Sequence, residues 1–375
     1  MPHPPASRPA ATPRLHATYR IRARPSEVET AARLLALEQS VELPAEVVRD
    51  PYVRDHVVAT VESISPCGDE LFDAVIGLSV ETTGFDPAQT LNMLFGNSSL
   101  HTHVELIDVD FPLEFTQRFA GPRFGVAGLR ERIGAVGRPL TCAALKPQGL
   151  SSEALAELCY TFAVAGIDVI KDDHGLADQR YAPFAERARA CQRAVERARS
   201  AGSCSVYAPS LVGAPQRLAE QARLVRDEGI GMVLVAPALV GMPAFAELVA
   251  EHLQVPVLAH PAYAGAARVA PPLVLGKLFR LFGADAVIFP SYGGRFAYSR
   301  DLCRAIAAVS RAPWHHIRPA MPVPAGGMAV ERVPELVEFY GNDAMLLIGA
   351  SLLSAGDDLP VRARGFVEKV RSVAT

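Results

Sequence analysis

Apolar and polar positions follow two different patterns, and the change falls near residue 121. Before it, residues 16–24 (HATYRIRAR) alternate with period two and predict a strand. Residues 25–38 place Val28, Ala32, Leu35 and Ala36 on one side of a helix. Residues 56–65 and 71–82 predict two more strands, 87–94 a short helix and 106–110 another strand. Strands and helices mixed without regular alternation predict a small α+β domain over residues 16–121. The first fifteen residues, MPHPPASRPAATPRL, are rich in Pro and Ala, lack the apolar run of a secretory signal and predict a disordered tail.

From about residue 138 apolar strand-like runs alternate with amphipathic helical runs. The predicted strands are 139–145, 168–171, 205–211, 232–238, 257–260, 286–290, 318–324 and 345–348. Helical patterns cover 153–164, 183–200, 215–228, 243–253 and 330–340. Strands that each lead into a helix imply a parallel sheet, and nearly continuous apolar strands imply one buried on both faces. Eight such units fit a (β/α)8 TIM barrel over residues 122–375 better than an open doubly wound sheet, which stays open as the alternative.

Composition narrows the class of function. The 375 residues are 50% hydrophobic and 21% charged, with a formal charge of −3, which is a globular balance with no bulk attraction for nucleic acid or anionic membrane. No apolar run reaches the roughly 18 residues of a membrane span. The six cysteines lack any C-x-x-C pairing and read as reduced thiols, so a cytoplasmic location is expected.

In a (β/α)8 barrel the chemistry gathers where the strands end. Those positions read Lys146-Pro147-Gln148-Gly149, Lys171-Asp172-Asp173-His174-Gly175, Pro209-Ser210, His260, Ser291-Tyr292-Gly293-Gly294-Arg295, Ala325-Gly326-Gly327 and Gly349-Ala350-Ser351. With a period of two, Lys171 and Asp173 share a face and Asp172 points the other way. Such charges beside a buried strand are costly unless paired or metal-bound, and oxygen donors suit a hard cation such as Mg2+. The alternative is a simple Lys171–Asp173 ion pair. The glycines ending strands 7 and 8 stand where barrels commonly bind phosphate, although an ordinary tight turn uses the same residues. His260 has the chemistry of an acid, a base or an anion ligand, and Arg295 that of a loop residue closing over an anionic substrate.

These residues resemble the large-chain superfamily of ribulose-bisphosphate carboxylase (RuBisCO), specifically its non-carboxylating form IV, the RuBisCO-like proteins. The similar stretches are 134–151 (GAVGRPLTCAALKPQGLS), 166–173 (GIDVIKDD), 93–98 (MLFGNS), 121–125 (GPRFG) and 321–327 (MPVPAGG). The resemblance implies a ferredoxin-like N-terminal domain, a barrel, and a homodimer whose sites are shared between subunits. It implies that Lys171 takes up CO2 as a carbamate and binds Mg2+ with Asp173 and, at the third ligand position, His174. It implies Lys146 as a catalytic proton carrier, His260 and Arg295 as further catalytic positions, Glu38 and Asn97 as substrate contacts reaching the neighbouring subunit, and Gly326, Gly327, Gly349 and Ser351 as the phosphate loops.

The departures shape the expected reaction. True carboxylases have a glutamate where His174 stands, a second lysine at Gln148, an arginine at Pro261, a serine at Ala325 and a lysine at Arg295. Their loss argues against bisphosphate recognition and CO2 fixation and leaves the equipment for enolisation. The expectation is therefore a metal-dependent lyase or isomerase acting on a phosphorylated small molecule. Decarboxylation of a 3-keto sugar-acid phosphate such as 3-oxo-isoapionate 4-phosphate leads, because losing CO2 needs no second, distant base. The alternatives are an isomerase or enolase of a methionine-salvage phosphate such as 5-methylthioribulose 1-phosphate, and an idle dimer that only binds sugar phosphate.

Overall fold

Strand β1 (Arg14–Arg22) buries Leu15, Ala17, Tyr19 and Ile21 on one face, as its period-two pattern requires. With β2 (Thr60–Gly68), β3 (Leu71–Ser79) and β4 (Val104–Asp110) it forms an antiparallel sheet in the order β2-β3-β1-β4. The computed structural model describes residues 12–373, so residues 1–11 of the expected disordered tail lie outside it. The rest of that stretch differs from expectation, because β1 starts at Arg14. The helix Val28–Glu38 turns Val28, Ala32, Leu35 and Ala36 inward.

Two boundaries differ from the sequence pattern for local reasons. Residues Val53–Val57 wind into a helical turn instead of opening β2, since the Asp50 carboxylate accepts the N–H groups of Tyr52 and Val53 at 2.8 and 3.2 Å. Strand β3 stops at Ser79, after which the Thr82 and Thr83 hydroxyls bond to the carbonyls of Ser79 and Val80 and curl the chain into a 3-10 turn.

The chain divides into two compact units, one running to Phe119 and also taking in Ala266–Leu273, the other comprising Ala120–Gly265 and the chain from Val274 onward. Segment 266–273 joins the first unit through backbone bonds of Leu106 with Arg268 and Ala270, at 3.0 and 2.9 Å.

The second unit carries parallel strands β5 (Leu140–Leu145), β6 (Val169–Asp172), β7 (Val206–Ala208), β8 (Ser210–Leu211), β9 (Val233–Val235), β10 (Val257–Ala259), β11 (Ala286–Pro290), β12 (Met321–Ala325) and β13 (Met345–Leu347). They pair as β13-β5-β6-β7 and β8-β9-β10-β11-β12. Segments β7 and β8 are one barrel strand interrupted at Pro209, which has no N–H to give a neighbour. Strand β12 also lies beside β13, so the ring of eight closes and the open sheet is excluded.

Alternate residues from every strand fill the barrel: Leu140 and Cys142, Val169, Val206 and Ala208, Leu234, Leu258, Ala286 and Ile288, Met321, Val323 and Ala325, Met345 and Leu347. Leu129 and Ile133 of helix Gly125–Ile133 join this core, and the N–H groups of Phe124 and Gly125 donate to Asp285, just before β11. The helix therefore plugs the end where strands begin and leaves the other end for chemistry. Among the described residues no helix is long and apolar enough to cross a membrane, and all six cysteines are free.

Candidate active site

The phase of β6 decides which groups enter the barrel. Val169 packs in the interior, so Lys171 and Asp173 face the same way while Asp172 turns out toward the helices. Lys171 is 3% exposed, and its Nζ donates to the Asp172 carbonyl at 2.9 Å. Among the described residues no carboxylate forms an ion pair with it, so the simple Lys171–Asp173 pair is absent. Burial pushes the Lys171 ammonium below its ordinary pKa, and Asp173 opposes this only in part.

Asp173 pairs instead with two other side chains. Lys146, just beyond β5, hydrogen-bonds to its Oδ2, and His174 Nδ1 lies 2.7 Å from Oδ1. Burial opposes ionisation of Asp173, but the bonds from His174 and Lys146 outweigh it and hold the carboxyl well below the usual range. Because His174 Nδ1–H donates to a carboxylate, its Nε2 is left as the acceptor.

His174 and His260 stack with ring centroids 4.2 Å apart and planes 9° from parallel. His260 Nδ1 accepts the Ala262 N–H at 3.1 Å, which places its own proton on Nε2. Burial, with the positive charge of Lys171 added, pushes its pKa down to about 2. With Nδ1 occupied, His260 offers Nε2–H as a hydrogen-bond donor.

A second group forms at the ends of β11 and β12. The Arg295 N–H donates to the Gly326 carbonyl at 2.8 Å, and a Cβ on Gly327 would stand 2.9 Å from Arg295 Cγ. Both glycines have φ near +90°, a conformation that side chains rarely adopt, so the glycines are what lets the Arg295 loop lie against this turn. At the end of β13, a Cβ on Gly349 would lie 4.0 Å from Lys146 Cε. Gly349 thus borders the lysine cluster, and Ser351 follows in the turn Ala350–Leu353.

Glu38 and Asn97 meet in the first unit, with Asn97 Nδ2 donating to Glu38 Oε1 at 3.0 Å. Buried Gln39 holds them together, donating to the Met93 carbonyl at 2.7 Å and accepting from Ser98 N–H at 3.3 Å. Asn97 also donates to Glu42, which the sequence reading did not single out. The buried Asp172–Arg187 pair was missed as well. Its signal was present, because Arg187 falls on the apolar face set by Phe184, Ala188, Cys191 and Val195.

The family model for the ribulose bisphosphate carboxylase large chain, catalytic domain, matches residues 125–354. The chain belongs to the RuBisCO large-chain family. This RuBisCO-family chain is 48% identical over 360 residues to ribulose bisphosphate carboxylase-like protein 1 of Rhodopseudomonas palustris, covering 96% of the chain and 98% of the relative. It is also 48% identical over 366 residues to 5-methylthioribulose-1-phosphate isomerase of Rhodospirillum rubrum, covering 97% and 98%. A crystal structure of a Rubisco-like protein from Rhodopseudomonas palustris superposes with a TM-score of 0.90 at 47% identity, covering 97% of this chain and 99% of that one.

The donor set fits a hard divalent cation on one condition. Among the described residues no three His, Cys, Asp or Glu side chains cluster as a metal site, so unmodified side chains alone are too few. A buried lysine without a carboxylate partner, two residues before Asp173 on the same face, would supply the missing oxygen donor if it took up CO2. Mg2+ takes one or two carboxylates and fills its shell with water, which matches a carbamate plus Asp173. An imidazole bonded to Asp173 and stacked on a second imidazole, as His174 is, would be a weaker donor to such an ion than a carboxylate.

Proposed function

We propose that this RuBisCO-family chain is a metal-dependent isomerase of a phosphorylated ketose, 5-methylthioribulose 1-phosphate or a close analogue, working through an enediolate. The observation that carries the reading is the set of proton-handling groups around Asp173: Lys146 on one oxygen, His174 on the other, and His260 stacked on His174. An isomerase needs a base to take a proton from one carbon and an acid to return it to the next, and these side chains can supply both. The likeness to the Rhodospirillum rubrum isomerase, nearly end to end, supports the substrate class.

Lys171, as a carbamate, and Asp173 would hold Mg2+. When bound, the ion polarises the substrate carbonyl and its neighbouring hydroxyl and stabilises the negative charge that develops there. His174, oriented through Nδ1 by Asp173, takes the carbon-bound proton at Nε2. Lys146 returns a proton at the adjacent carbon. His260 donates its Nε2–H to a substrate oxygen and stays neutral while doing so. Arg295 and the backbone of Gly326, Gly327, Gly349 and Ser351 receive the phosphate. In the homodimer, Glu38 and Asn97 of one subunit serve the barrel of the other.

Decarboxylation led on sequence grounds because it spares the enzyme a second base. Lys146 and His174 together remove that advantage, and isomerisation becomes the better-supported reading. The test is product identification by NMR after incubation with Mg2+, bicarbonate and each candidate phosphate. An isomer of 5-methylthioribulose 1-phosphate with no CO2 released is expected. Release of CO2 from 3-oxo-isoapionate 4-phosphate would put the lyase first, and no turnover of any phosphate would favour the idle binder.

A further inference from the structure

Arg187 lies on the inner face of helix Phe184–Arg199 with no exposed surface. Its Nε donates to Asp172 Oδ2 at 3.0 Å, and its two terminal nitrogens donate to the carbonyls of Ala182 and Ala177 at 2.6 and 2.9 Å. Asp172, equally buried, also accepts from the Tyr207 hydroxyl at 2.8 Å and from the Ser210 N–H at 3.0 Å. The Arg187–Asp172 pair thus ties together three places: the guanidinium holds two points of the loop that follows His174, and the carboxylate between Lys171 and Asp173 holds both halves of the interrupted third barrel strand.

A buried ion pair is a poor source of net stability, since an apolar pair of similar volume often serves as well or better. What the pair does supply is direction. The planar fork of an arginine fixes a carboxylate and two carbonyls at set angles, which a lysine or an apolar side chain cannot do. Because neighbouring strand residues point to opposite faces, holding Asp172 outward holds Lys171 and Asp173 inward.

We propose that Arg187 is a positioning residue: through Asp172 and the carbonyls of Ala177 and Ala182 it keeps Asp173 and His174 aligned with Lys171, so cation affinity depends on a side chain that never touches the cation. The proposal rests on the metal reading given above for Lys171 and Asp173. Outer partners of this kind typically change metal affinity 10- to 100-fold when altered.

The test uses the full chain carrying Arg187→Lys, with Arg138→Met as the control. Arg138 makes a mostly buried ion pair with Asp168, at 2.7 Å, before β5 and β6 and so at the opposite end of the barrel. Two quantities are measured below each protein's melting temperature. They are Mn2+ affinity by electron paramagnetic resonance in bicarbonate, and the ring-proton NMR shifts of His174 and His260 in metal-free protein. Arg187→Lys should weaken Mn2+ binding at least tenfold and move the histidine signals, whereas Arg138→Met should leave both at parental values. A folded Arg187→Lys protein with parental affinity and unmoved histidine signals overturns the proposal. If that variant does not fold, the double substitution Arg187→Met with Asp172→Leu, which strands no charge, is read by the same criteria. If the parent itself binds no Mn2+, the metal reading fails, and the histidine signals alone decide whether Arg187 positions the segment.

Discussion

Replacing His260 with Gln should remove a specific acid sensitivity of the metal-free fold. In the folded chain the His260 pKa is pushed down to about 2, first by burial and then by Lys171. In the unfolded chain it returns to about 6.5. Between those values the unfolded chain binds a proton that the folded chain refuses, so stability is fully present above the unfolded pKa and falls as the pH drops toward the folded one. From pH 7 to pH 5 this linkage amounts to about 2 kcal/mol as an upper bound. The assay is urea unfolding of parent and His260→Gln proteins, stripped of metal and bicarbonate, at pH 5, 6, 7 and 8. The parent should lose 1–2 kcal/mol more than the variant, by order of magnitude, between pH 7 and pH 5, and the two should run parallel above pH 7.5. Parallel curves across the whole range would show that His260 is protonated freely in the fold, and the assignment of a neutral Nε2–H donor would be wrong.

Lys171→Met should abolish the bicarbonate-dependent part of Mg2+ binding in calorimetric titration; equal affinity for parent and variant would remove the carbamate from the account. Arg295→Ala should raise KM for the phosphorylated substrate on the order of tenfold or more, since a charge-assisted hydrogen bond contributes roughly 1.5–3 kcal/mol, and steady-state kinetics would show it. Asn97→Ala chains and Lys171→Met chains, each inactive alone, should regain about a quarter of parental activity after mixing with demonstrated subunit exchange, because half the chains enter mixed dimers that hold one intact site. No recovery despite exchange would mean that Asn97 serves its own chain.

The barrel was legible because its eight strands carry unbroken apolar runs and its helices a clear period, and a pattern repeated eight times tolerates errors at the ends of single elements. Strand phase was legible too, since period two alone sets Lys171 and Asp173 against Asp172. The partners these groups choose were harder to read. The sequence neighbours suggest a Lys171–Asp173 pair, yet Asp173 bonds to Lys146, which arrives from the previous strand. Only parallel pairing of β5 with β6 brings Lys146 there, and pairing is a property of the closed sheet. The start of β2 was misread because it lies in a mostly exposed strand, where alternation carries little burial signal and a single Asp50 turn overrides it. The stacking of His174 on His260 joins the second barrel strand to the fifth and leaves no local trace in the sequence.

On the proposed mechanism, a cation held by Lys171 and Asp173 enolises a phosphorylated ketose. The most direct test is solvent exchange: 5-methylthioribulose 1-phosphate is incubated with the protein in D2O, and loss of the carbon-bound proton next to the carbonyl is followed by NMR. Exchange is expected to require both Mg2+ and bicarbonate and to disappear in Lys171→Met. Product formed at full rate without either, or with Lys171→Met retaining parental exchange, would contradict that mechanism.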